Sequence, residues 1–147
     1  MVNFVARGIL CLGIALAAVP AEAKTIVIHM KNKGAEGSMV FEPAFVKAAP
    51  GDVIRFVPTD PSHNAETIAG LWPARVKPAK GMINKELAVP VSTPGLYGFK
   101  CLPHYGMGMV ALVQVGNAPA ADVAAARAVR LPGLAAKRMN GYLGRVK

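Results

Sequence analysis

From residue 24 to about residue 116 the sequence is cut by Gly, Pro and Asn into short runs of β-branched and apolar residues, the pattern of an all-β domain. The runs are TIVIHM at 25–30, MVF at 39–41, FV at 45–46, VIRFV at 53–57, ELAV at 86–89, GLYGFKC at 95–101 and MVALVQV at 109–115. Pro50-Gly51-Asp52 marks a turn before the fourth of them. Roughly seven or eight such strands suit a Greek-key β-sandwich of two sheets. Beyond residue 116 the period changes to that of a helix. Residues 119–130 are alanine-rich and put Val123, Ala126 and Val129 on one face, and residues 134–143 do the same with Ala135, Met139 and Tyr142. Leu131-Pro132-Gly133 separates them. Neither helix is long enough to be stable alone, so both are expected to pack on an open sheet face.

The first residues do not belong to this pattern. Arg7 and the amino terminus supply positive charge, residues 8–19 form an apolar run, and Ala21-Glu22-Ala23 has the small-x-small spacing of a signal-peptidase site. The run is shorter than the roughly 20 residues a spanning helix needs. Residues 1–23 are therefore expected to be a secretory signal, with residues 24–147 forming a single exported domain without stable membrane association. Cys11 leaves with the signal, so the exported chain keeps only Cys101 and forms no internal disulfide in an oxidising compartment. Such a thiol must be protected or employed. The formal net charge of +9 favours an acidic partner, and export argues against nucleic acid.

Cys101 opens the densest group of soft donors in the chain, Cys101-Leu-Pro-His-Tyr-Gly-Met-Gly-Met109. With one thiolate and three histidines available, a thiolate-rich zinc or iron centre is ruled out. One Cys, two His and a weak axial Met match the trigonal His₂Cys site used for blue-copper electron transfer. Cys101 ends a strand run, His104 lies in the loop after it, and Met109 starts the next run. The second imidazole is expected from His63, in the loop after residues 53–57, rather than from His29, which sits inside the first strand run. The expected cofactor is one copper ion cycling between Cu(I) and Cu(II).

These residues and their order resemble the cupredoxins, the blue copper proteins, and among them most closely the pseudoazurins. The resemblance rests on His63-Asn64, the strand at 95–101, Cys101-Leu-Pro-His104 through Met109, and the two terminal helices. It implies the ligands His63, Cys101, His104 and Met109. Met107 gives the tighter C-x₂-H-x₂-M loop and is the competing thioether. Gly106 and Gly108 mark it as a loop tip, whereas Met109 leads into a strand. Asn64 is expected to tie the two ligand loops together, by its backbone N–H to the Cys101 sulfur or through its side-chain amide. Pro103 has no N–H to offer the thiolate, which should keep the reduction potential higher.

For partners, the resemblance implies a periplasmic, monomeric one-electron carrier. It would donate to an acidic redox protein such as a nitrite reductase or nitrous-oxide reductase, with a cytochrome as a candidate donor. Met107 and the apolar loop around His104 would form the docking patch, with Lys33, Lys77, Lys80 and Lys100 around it. Two rivals have different signatures. A periplasmic copper chaperone or buffer would also use Cys, His and Met but needs an exposed, exchangeable site. A copper enzyme needs an open coordination position and a second histidine cluster, and the sequence has neither.

Overall fold

The computed structural model describes residues 22–147. The expected signal segment lies outside them but for Glu22 and Ala23. Among the described residues, eight strands make two four-stranded sheets. These are β1 (Thr25–Gly34), β2 (Gly37–Glu42), β3 (Phe45–Ala48), β4 (Asp52–Pro58), β5 (Glu66–Thr67), β6 (Leu87–Val91), β7 (Gly95–Lys100) and β8 (Val110–Val115). One sheet has the order β2-β1-β4-β6, the other β3-β8-β7-β5. The pairs β1–β4 and β3–β8 are parallel, and the remaining neighbours are antiparallel. Among the described residues no helix is long and apolar enough to cross a membrane.

Local chemistry explains the boundaries. Gly51 takes a φ of +103°, which a side chain would resist, and the Asp52 carboxylate accepts the N–H of Ala49 at 2.8 Å and of Lys24 at 2.9 Å. These two backbone donors hold its pKa below the ordinary value. Pro90 stands inside β6, where a proline is tolerated because β6 is an edge strand.

Burial differs between the sheets. β4 alternates, with Asp52, Ile54 and Phe56 buried and Arg55 in solvent, so its sheet is wet on the outside. All six residues of β8 are buried. Ala111, Val113 and Val115 face the core between the sheets, while Val110 and Leu112 face a second apolar cluster with Ala126, Ala135, Met139, Tyr142 and Leu143. Those residues come from two helices, α1 (Ala120–Ala128) and α2 (Gly133–Leu143), which cover the outer face of the second sheet as expected. Asp122 in the first turn of α1 and Arg127 in its last turn complement the helix dipole.

Two features depart from the sequence reading. β1 runs on to Gly34 because it pairs with β2 as far as Gly34 opposite Gly37. β5 has only two residues, paired with Phe99 and Lys100, and such an edge leaves no periodicity to read. The segment that follows it crosses β7 closely. A Cβ on Gly98 would lie 2.9 Å from the Leu71 Cβ, and the Gly98 N–H donates to the Leu71 carbonyl at 2.7 Å.

Candidate metal centre

β7 delivers Cys101 at its end, wholly buried, with its N–H donating to the Met109 carbonyl at 3.0 Å. The chain then turns through a short 3₁₀ segment, Tyr105–Met107. Its returning N–H groups close the turn, from Met107 and Met109 to the His104 carbonyl and from Gly108 to the Tyr105 carbonyl. β8 follows at once. Cys101, His104 and Met109 are therefore held by one tightly bonded connection between adjacent antiparallel strands.

His63 arrives from the loop after β4 and is wholly buried. The Asn84 N–H donates to its carbonyl at 2.8 Å, which pins the loop from the other side. The imidazole Nε2 lies 2.9 Å from Asn32 Oδ1, an oxygen that can only accept, so Nε2 carries the proton and Nδ1 presents a bare lone pair. That lone pair faces His104 Nδ1 at 3.1 Å and Cys101 Sγ at 3.7 Å, with Sγ 3.5 Å from His104 Nδ1. The point equidistant from the three donors lies about 2.0 Å from each, near the ordinary metal–imidazole and metal–thiolate lengths of about 2.0 and 2.3 Å. Two imidazoles and a thiol brought this close without a carboxylate among them fit a soft cation better than a hydrogen-bonded trio.

Electrostatics agree. Burial, and then the neighbouring His104, push the His63 pKa below 6.5, with Asp60 opposing weakly, so the ring stays neutral and free to ligate. Burial also pushes the Cys101 thiol up, against the pull of the Asn64 and His104 backbone N–H groups, and the Glu66 carboxylate adds to the rise. The metal-free site thus holds a protonated thiol, and metal uptake must release that proton. One expected result concerns the metal-free protein. The unfolded chain binds a proton on residue 63 as the pH falls through 6.5, whereas the folded chain resists until a lower pH. Stability should therefore fall with pH from about 6.5 down to the folded pKa and then level off. Urea midpoints measured across that window check it, and His63→Gln should flatten the slope.

The loops are tied by Asn64. Its Oδ1 accepts the Leu102 N–H at 2.8 Å, while its Nδ2 donates to Glu66 Oε2 at 3.2 Å and to the Gly81 carbonyl at 3.1 Å. Met109 is wholly buried, and its backbone bonds to Cys101 and His104, whereas Met107 is 48% exposed. His29 lies apart, its Nδ1 2.9 Å from Thr59 Oγ1. Pro103 is exposed on the loop surface. Lys100 pairs with Glu66 at 3.5 Å and lies over the Tyr105 ring at 4.9 Å. Lys80 lines an apolar depression with Asn64, Glu66, Met82, Ile83 and Leu102, while Lys33 and Lys77 are exposed. Sequence reasoning missed Asn32, Glu66, and the exposed side chains of Met82 and Ile83. Their only signal is position, since nothing in the sequence says that residues 32 and 63 meet.

Residues 28–116 match the family described as copper binding proteins, plastocyanin/azurin family. The chain is 54% identical over 129 residues to a pseudoazurin of Paracoccus pantotrophus, covering 88% of each chain. It is 43% identical over 137 residues to a pseudoazurin of Methylorubrum extorquens, covering 92% of each. The crystal structure of native pseudoazurin from Hyphomicrobium denitrificans superposes with a TM-score of 0.79 at 45% identity, covering 84% of this chain and 98% of that one. Fold, donor set and relatives agree, and the chain belongs to the plastocyanin/azurin family of copper binding proteins, as a blue copper electron-transfer protein of the pseudoazurin group.

Proposed function

We propose that residues 1–23 are removed on export, that residues 24–147 work as one soluble domain in the periplasm, and that His63, Cys101, His104 and Met109 hold its copper. The observation that carries this reading is the convergence of three donor atoms around a single point, with Met109 wholly buried and bonded through its backbone to Cys101 and His104. Copper supplies a one-electron couple between Cu(I) and Cu(II) when bound. The chain's part is to keep the donors still. The Asn32 bond fixes the His63 ring, Asn64 locks one loop to the other, and the Cys101–Met109 backbone bond fixes the spacing of the two sulfur ligands. Donors that do not move between oxidation states keep the barrier to transfer low.

Burial of His63, Cys101 and Met109 disfavours an exchangeable chaperone site. His104 is the half-exposed donor and the natural exit for the electron, beside exposed Leu102, Pro103 and Met107. Met82 and Ile83 extend this apolar face, with Lys80 and Lys100 at its border. The face suits an acidic redox partner of the nitrite reductase or nitrous-oxide reductase kind, met in a small, weak encounter. No catalytic role is proposed.

The test starts from copper-loaded protein, which should be intensely coloured and bleach reversibly with a reductant. Met109→Gln should alter the visible spectrum and Met107→Gln should leave it unchanged. Transfer to an acidic partner should slow as salt shortens the Debye length to about 10 Å at 0.1 M. The opposite pattern for the two methionines would move the axial ligand to Met107, and a salt-independent rate would remove the lysines from docking.

A further inference from the structure

The terminal helices do more than cover a sheet. Arg138, in the middle of α2, donates to four backbone carbonyls from two remote parts of the chain. Nη1 reaches Gly108 O at 2.8 Å and Met39 O at 3.0 Å, and Nη2 reaches Glu36 O at 3.0 Å and Ser38 O at 3.2 Å. Arg138 takes part in none of the salt bridges among the described residues, so carbonyl dipoles are its direct hydrogen-bond partners. A planar guanidinium can serve several acceptors at fixed angles, which an ammonium cannot.

The position of one of these acceptors matters most. Gly108 immediately precedes Met109, and its carbonyl belongs to the peptide that carries the Met109 nitrogen. Gly108 adopts a φ of +84°, and a Cβ there would lie 2.7 Å from Leu134 Cγ and 3.2 Å from Arg138 Nη1. α2 therefore meets the ligand loop at the level of its backbone. On the opposite side Met109 is held by its N–H to the His104 carbonyl and by the Cys101 N–H to its own carbonyl.

We propose that Arg138 is a positioning residue of the copper site: its guanidinium clamps the Gly108–Met109 peptide to α2 and to the β1–β2 hairpin, and so sets where the Met109 sulfur stands. This rests on the reading of Met109 as the axial ligand. Helix α2 is then part of the device that tunes the potential, acting through the backbone.

The experiment uses the full exported domain with Arg138→Met, which keeps bulk and loses every donor, and Arg138→Lys, which keeps the charge. Arg145→Met is the control, since Arg145 lies over the Phe45 ring at 4.6 Å. In metal-free protein, Arg138→Met should speed amide exchange at Gly108 and Met109 at least tenfold beyond any change in β1 and β4. In copper-loaded protein it should shift the Cu(II)/Cu(I) equilibrium at least threefold, about 28 mV at 59 mV per tenfold. Arg138→Lys should fall between, and Arg145→Met should change neither. Uniform exchange, or faster exchange with an unmoved potential, would reduce Arg138 to a structural staple and overturn the proposal. If Arg138→Met does not fold, Arg138→Lys decides by the same two readings. Met109→Gln separates the premises: an unchanged potential there sinks the ligand assignment, while loop exchange still judges the clamp.

Discussion

Cys101→Ala is expected to abolish the visible colour and weaken copper binding by more than the 10–100-fold typical of losing a residue that only supports a ligand. The sulfur is the one anionic donor in the cluster. Without it the cluster keeps only two neutral imidazoles, which hold Cu(II) weakly and include no thiolate to give an intense charge-transfer band. The fold should survive, because Cys101 Sγ occupies little volume and Cys101 forms no disulfide. Titration against a chelator of known affinity, with absorbance read in parallel, measures both effects. A variant that still turned blue would show that another residue supplies the sulfur.

Phe56→Ala should cost about 3–5 kcal/mol, the range for truncating a fully buried aromatic. Phe56 is completely buried on β4, edge-on to Phe41 at 5.3 Å, and it reaches across the sandwich to Phe99 on β7 at 4.5 Å. Removing the ring takes away packing that joins the two sheets and leaves a cavity that neither sheet can close alone. Urea unfolding should show a lower midpoint with an unchanged slope. Val57→Ala, half-buried on the neighbouring position, should lose much less. Comparable losses at the two positions would mean that the outer face of this sheet is not as wet as its burial pattern implies.

Much of this architecture was legible in the sequence because the signals are local. Alternation in VIRFV, the Pro50-Gly51-Asp52 turn and the switch to helical spacing after residue 116 each act within a few residues. Cys101 and His104 were legible for the same reason, since one hairpin connection carries both. His63 needed chemistry as well as position: a lone thiolate asks for imidazoles, and the chain has few. The rest depends on contacts between distant segments. The Asn32 bond to His63 spans 31 residues and the bonds from Arg138 to the β1–β2 hairpin about 100, and no spacing rule reaches so far. β5 was missed because two residues do not make a period. Exposure of Met82 and Ile83 follows from the path of a loop, which composition does not fix.

The unequal dressing of the two sheets has a consequence for how such a chain can change over generations. On β1 and β4 every second side chain looks outward, as with Val27 beside Arg55, and those positions can drift in size and polarity at little cost. β8 offers no such slack: whichever way a side chain points, it meets either the inter-sheet core or the helices. Variation should thus gather on the outer face of the β1–β4 sheet and spare β8, the strand into which the connection from Cys101 and His104 leads.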